Sequence, residues 1–197
     1  QVIVWNPLPF QHVSGLMPWW RAQQWNVAHV WLSSALMKSP QALLEESCQR
    51  SDWDSMPMVL SLVPTQLGRL LADPAGVRWL QAMALIWVGG AALPSELAEK
   101  ARTMGIKLAP CYGSTETAAM VVAQSPERFL DGEEGVGEPL DDTELRVEAN
   151  GALAVRCGRL AIGRWKPDGD GLLATPLREP SFSPLSDLDG WWSSGDA

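Results

Sequence analysis

Two rhythms of apolar and polar residues share the first 130 residues. Short apolar runs rich in β-branched or large side chains, each closed by a turn or a proline, read VIVW (2–5), VAHVWL (27–32), MVLSLVP (58–64), ALIWVGG (84–90) and IKLAPCYG (106–113). Runs of this length and content predict strands. Between them lie stretches with helical spacing: GLMPWWRAQQ (15–24), SPQALLEESCQR (39–50), PTQLGRLLADPAGVRWLQAM (64–83) and LPSELAEKARTMG (93–105). In the last, Leu97, Ala101 and Met104 share one face, Pro94-Ser95 opens the helix and Gly105 closes it. Strand and helix in alternation imply an α/β fold with a mostly parallel sheet flanked by helices.

The rhythm changes after SPERFLDGEEG (125–135). TELRVEANGALAVRCGR (143–159) alternates with period two on both sides of Asn150-Gly151, a strong hairpin signal. A polar tract rich in proline and glycine follows from 166 to 189, and the sequence ends on GWWSSGDA (190–197). The expected organisation is an α/β subdomain over 1–133 and a small β-rich, barrel-like subdomain over 134–197, with no internal repeat.

Composition then narrows the function classes. Apolar residues make up 46% and charged residues 19%, as in a globular chain, and 15 basic against 23 acidic residues leave a net charge of −8. The basic residues are scattered, so neither nucleic-acid phosphates nor anionic lipids meet a matching surface. No apolar run approaches the ~20 residues needed to span a bilayer, which excludes stable membrane insertion by a helix. Cys48, Cys111 and Cys157 are odd in number and far apart, which points to free thiols in a reducing cytoplasm and not to a disulfide framework. The sequence opens without Met inside a strand-like run, which suggests a piece of a longer protein, and QVIVWNPLPF lacks the features of a signal peptide. A homodimer is compatible with this composition.

The candidate chemistry sits at two strand ends, where parallel sheets bind ligands. In APCYGSTETAAMVV (109–122), Ser114, Thr115 and Glu116 place two hydroxyls and a carboxylate on one turn. Hydroxyls can hydrogen-bond phosphoryl oxygens and a carboxylate can hold Mg²⁺. The alternative is a helix N-terminus, with Ser114 or Thr115 as the cap, Glu116 near the dipole, and helix from Thr117 onward. Gly89-Gly90-Ala91-Ala92, with almost no side chain, would admit a flat ligand or form a tight turn. His12 lies in a loop between the first strand and a helix, a site-like position, whereas His29 lies inside an apolar strand and reads as structural. A phosphate-binding P-loop and a hydrolase G-x-S-x-G elbow are absent, and GEEGVGEP neither follows a strand nor opens a helix as a dinucleotide loop would.

In order along the chain, LPFQHVSGL, GGAAL, YGSTE, GVGEPLDDTELRVEANGALAVRC and GWWSSGD resemble the motifs P-x-F-H-x-x-G, G-G-A/E-x-L, Y-G-x-T-E, G-x-V-G-x-P…G-E-L-x-V-R and G-W-[FYL]-x-T-G-D of the adenylate-forming superfamily. Gln11 stands where an aromatic residue is commoner. The stretch from GGAAL to Gln124 is most similar to the o-succinylbenzoate–CoA ligases of menaquinone and phylloquinone biosynthesis. The resemblance implies part of an adenylate-forming N-terminal domain and an AMP-forming acid–thiol ligase using ATP, Mg²⁺ and coenzyme A on an aryl or acyl carboxylate. It implies that Thr115 holds the α-phosphate, Glu116 the Mg²⁺ and Asp196 the ribose. Tyr112 and Gly89, Gly90, Ala91 and Ala92 would enclose the adenine, Gly113 and Ser114 would supply turn backbone, and His12 would line the aryl pocket. Arg156 and Arg164 are candidates to meet a second substrate carboxylate. The family's phosphate loop and the C-terminal domain with its lysine lie outside this sequence, so catalysis by this stretch alone is not expected. Another acyl- or aryl-CoA ligase, a carrier-loading adenylation domain and a non-catalytic nucleotide-binding α/β module are the competing readings.

Overall fold

A computed structural model describes residues 2–53, 55–168 and 178–196, which fall into two compact units, 1–138 and 139–197. The division comes later than residue 133 for a physical reason. Residues 134–138 stay with the first unit because its sheet ends on β7 (Glu138–Pro139), and Arg128 binds both Glu133 (2.7 Å) and Glu138 (2.6 Å).

In the first unit, β1 (Ile3–Asn6), β2 (Ala28–Trp31), β3 (Met58–Leu62), β4 (Leu85–Val88), β5 (Leu108–Ser114), β6 (Ala119–Ala123) and β7 form one sheet in the order β2-β1-β3-β4-β5-β6-β7. The strands from β2 to β5 are mutually parallel, and β6 runs antiparallel to β5. Side chains alternate between the faces, as the pleat requires. Ile3, Trp5, Met58, Leu60, Leu62, Ile86 and Val88 enter the main core. Val4, Val59, Leu85 and Trp87 face the other way with Ala22 of α1 (Val13–Trp25). Two apolar faces per strand explain why these strands read as near-continuous apolar runs.

On the main-core side pack α2 (Pro40–Cys48), α3 (Pro64–Leu71), α4 (Pro74–Gln81) and α5 (Ser95–Thr103), while the short α6 (Pro126–Leu130) packs against β5. The stretch 64–83, read as one helical pattern, is two helices. Asp73 caps α4 by accepting from the N–H groups of Ala75 and Gly76, and Pro74 takes the first helical position, so the chain must restart there. Trp5 lies at the centre of the core, with its ring edge-on to Trp53 (5.8 Å) and Trp79 (5.9 Å).

Among its described residues, the second unit contains two small antiparallel sheets. One has the order β12-β9-β8, with β8 (Thr143–Val147) and β9 (Leu153–Cys157) joined across Asn150-Gly151 and β12 (Trp192–Ser193) beside β9. The other pairs β10 (Gly163–Asp168) with β11 (Arg178–Pro184). The middle of the polar tract, 169–177, lies outside the described residues.

A buried polar link ties the helical layer together: the Trp79 indole N–H donates to Ser47 Oγ (2.9 Å), and that hydroxyl donates to the Leu43 carbonyl (2.6 Å). Removing the acceptor leaves the indole N–H unpaired in the core, at a cost of roughly 1–3 kcal/mol. Ser47→Ala in the full-length protein is therefore expected to lower stability by about that amount in urea denaturation followed by circular dichroism. An unchanged midpoint would contradict the link.

Candidate functional site

The first unit encloses a cavity of about 360 Å³ at the carboxyl ends of its parallel strands, on the α1 side of the sheet. Each wall comes from a separate element. The loop after β1 gives Leu8 and His12; α1 gives Val13, Ser14, Met17, Pro18 and Arg21. The ends of β3 and β4 give Ser61, Leu62, Val63, Trp87, Gly89 and Gly90, and β5 with β6 gives Cys111, Gly113, Ser114, Thr115, Ala119 and Met120.

The oxygen-bearing turn is a reversal between antiparallel strands, not a helix start. β6 begins at Ala119 and pairs back onto β5, with Ser114 opposite Ala119 and Tyr112 opposite Val122. The expected helix from Thr117 and the capping role of Ser114 or Thr115 are thereby corrected. The small residues after Glu116 fit the reversal because Gly113 lies under Ala119: a Cβ at Gly113 would fall 2.0 Å from the Ala119 carbonyl oxygen. Ala118 and Ala119 adopt φ of 52° and 92°, the left-handed region that L-residues avoid. The turn is held by Thr117, which is 1% exposed. Its hydroxyl accepts from the Ser114 N–H (3.0 Å) and donates to the Ala119 carbonyl (2.7 Å). Strain retained at the mouth of a cavity is characteristic of functional turns.

Of the sequence-predicted residues, His12, Gly89, Gly90, Gly113, Ser114 and Thr115 lie on the cavity wall. Ala91, Ala92, Tyr112 and Glu116 adjoin that wall along the chain without lining it. Tyr112 follows Cys111 on β5, so the pleat turns its side chain to the opposite face. Asp196 belongs to the second unit, where its carbonyl accepts from the Leu153 N–H (2.8 Å) and its N–H donates to Ser194 Oγ (3.1 Å).

Arg21 was missed by the sequence reading. The signal was present: Ser14, Met17, Pro18 and Arg21 follow the 0, 3, 4, 7 spacing of one helix face, and that face lines the cavity. The guanidinium lies 4.7 Å from the Trp87 ring centre and 5.7 Å from that of Trp25. Arg156, named instead, is engaged in the second unit by Glu144 (3.0 and 2.5 Å) and stacks over Trp191 at 4.9 Å. Arg164 lies in β10 of that unit.

Arg21 contributes a guanidinium to the cavity wall. No group of three or more His, Cys, Asp or Glu side chains suited to a metal exists among the described residues. The donors at the turn are hydroxyls and one carboxylate, hard oxygens that suit Mg²⁺ held jointly with phosphates. No helix of the described residues is long and apolar enough to cross a membrane.

Cys111 shares the cavity wall, and its thiol donates to the Val88 carbonyl (3.5 Å). Burial pushes the thiol pKa from 9.0 up to about 11, while Arg21 partly opposes the shift. The folded state thus disfavours the thiolate. The stability linked to this thiol is complete below pH 9.0 and is lost as pH rises towards about 11. At pH 8 the thiolate fraction of Cys111 should be about a hundredfold below that of an ordinary thiol. Iodoacetamide labelling read by mass spectrometry is expected to modify exposed Cys48 well before Cys111. Equal rates would contradict this environment.

Comparison with known proteins gives the family of the chain. The sequence pattern of the AMP-binding enzyme family matches residues 1–158. The 2-succinylbenzoate–CoA ligase of Salmonella typhimurium is 33% identical over 189 residues, covering 96% of this chain and 34% of that protein. The Escherichia coli 2-succinylbenzoate–CoA ligase is 32% identical with the same coverage. Among solved structures, E. coli MenE with a bound phenylether-linked analogue of OSB-AMS superposes with a TM-score of 0.70 at 28% identity, covering 98% of this chain and 36% of that one. The chain therefore spans about a third of the length of the curated relatives it matches. Fold, motif order and family match converge: this chain belongs to the AMP-binding enzyme family.

Proposed function

We propose that the full-length protein is an ATP-dependent carboxylic acid–CoA ligase acting on o-succinylbenzoate, in a reducing cytoplasm that keeps its cysteines free. The observation that carries the reading is the pairing of two features in one cavity. Arg21 places a cation on the α1 wall, and Ser114-Thr115 place hydroxyls on the β5 wall. An aromatic dicarboxylate needs both: a cation for the carboxylate that stays, and a phosphate-binding turn beside the carboxylate that reacts. The E. coli and S. typhimurium relatives support the choice of acid.

In this reading, a carboxylate oxygen bonds to the α-phosphorus of ATP as the bond to the β-phosphate bridge breaks, releasing pyrophosphate. The thiolate of coenzyme A then bonds to the acyl carbon and AMP leaves. Thr115 donates to the α-phosphate oxygens while charge shifts across them, and Asp196 accepts from the two ribose hydroxyls. Gly89, Gly90, Ala91 and Ala92 border the adenine, which Tyr112 meets from the face of β5 turned away from the cavity, with Gly113 and Ser114 shaping the turn. Glu116 contributes a ligand for Mg²⁺, which when bound neutralises phosphate charge. His12 borders the acid, with Trp87 offering an aromatic face.

Pyrophosphate release by the full-length protein tests the reading. o-Succinylbenzoate is expected to support turnover ahead of fatty acids. Arg21→Leu should raise KM for that diacid by roughly tenfold to a hundredfold, with a much smaller effect on an aryl monocarboxylate. Glu116→Ala should raise the Mg²⁺ concentration required and slow release. Turnover with no carboxylic acid, or an Arg21→Leu effect equal on both acids, would overturn it.

A further inference from the structure

One buried carboxamide behind the cavity fixes where a whole wall of it lies. Asn6, the last residue of β1, is 0% exposed. Its Oδ1 accepts from the Leu8 N–H (3.1 Å), its Nδ2 donates to the Gly15 carbonyl (2.8 Å), and Nδ2 lies 3.2 Å from His29 Nε2 on β2. Leu8 and Gly15 bracket the segment that brings Leu8, His12, Val13 and Ser14 to the cavity, so a single side chain grips that segment at both ends. The segment also closes on itself. A Cβ at Gly15 would fall 2.5 Å from the Leu8 carbonyl oxygen, so the approach requires a glycine.

The partners dictate how the amide is oriented. A backbone N–H only donates and a carbonyl only accepts, so oxygen faces Leu8 and nitrogen faces Gly15. The remaining Nδ2 hydrogen points to His29, whose Nε2 must accept it. His29 is therefore neutral, with its proton on Nδ1, because an imidazolium would set N–H against N–H. Burial lowers the His29 pKa, which favours the same form. On α1 and β1, the elements packed against β2, the titratable groups are Arg21 and, at the α1 N-cap, His12; burial is the sole cause of the His29 shift.

We propose that Asn6 is a positioning residue for the acid side of the site, its carboxamide, backed by neutral His29, holding the wall that carries His12 and Ser14. The proposal rests on the ligase reading in taking this cavity as the acid site. Asn6→Asp keeps the side-chain shape and turns both N–H donors into an acceptor. At half-buried His29, Gln retains an acceptor for Asn6 and Leu removes it.

In full-length protein, Asn6→Asp and His29→Leu are expected to raise KM for the acid by about tenfold or more while KM for ATP stays within about twofold. His29→Gln should behave as the parent does. Acidification from about pH 7.5 to about 5.5 should raise the parent's KM for the acid more steeply than that of His29→Gln. Amide hydrogen exchange over residues 8–15, read without any turnover, should accelerate in Asn6→Asp and His29→Leu while β3 stays protected. Parallel rises in both KM values, His29→Gln behaving like His29→Leu, or unchanged exchange over 8–15 would each overturn the proposal. If the parent protein releases no pyrophosphate with any acid, the ligase reading falls, and the exchange rates alone then decide whether the carboxamide holds the wall.

Discussion

The hydroxyl of Thr117 is the interaction on which the site depends. Between β5 and β6 the chain reverses through two alanines at positive φ, a conformation that costs roughly 1–3 kcal/mol per residue. Thr117 supports it by bonding both sides of the turn, to the Ser114 N–H and the Ala119 carbonyl, from a buried position. The gain is directional. With Thr117 turned inward to staple the backbone, Ser114 and Thr115 reach the cavity wall. Threonine suits this role because one hydroxyl can accept and donate at once.

The two faces of the sheet divide the labour. On one side, α2 to α5 cover a continuous apolar core around Trp5. On the other side α1 packs through Ala22 against Val4 and Val59, and space remains at the strand ends for the cavity. A rigid scaffold with ligand groups on strand-end loops is the usual placement in parallel sheets, since backbone N–H groups and side chains converge there without disturbing the core. The Asn6 carboxamide joins the two layers, because it extends from a core strand to the loop that walls the cavity.

Much of this was legible in sequence. The five apolar runs up to residue 113 each overlap a strand to within one residue at its end, and Asn150-Gly151 turns the hairpin of the second unit. Two-sided burial produces long apolar runs, which is why period analysis works well there. Two readings failed for local reasons. Thr-Ala-Ala-Met after Glu116 has helix-compatible propensity, yet the Gly113–Ala119 approach and the Thr117 hydroxyl impose a strand reversal, a tertiary contact that propensity does not contain. Ala-Asp-Pro at 72–74 was absorbed into one helix although an Asp-Pro pair is a strong restart signal. In the site, motif residues were visible because their order is distinctive, whereas Arg21 required knowing which face of α1 meets the cavity.

The central claim is that the Thr117-held turn presents Ser114 and Thr115 to a nucleotide. Titration calorimetry of AMP binding to full-length protein carrying Thr117→Val tests it most directly, since valine keeps the volume and removes the hydroxyl's hydrogen bonds. The account predicts AMP affinity weakened by about tenfold or more, with the melting transition still cooperative. AMP affinity within about twofold of the parent would contradict it.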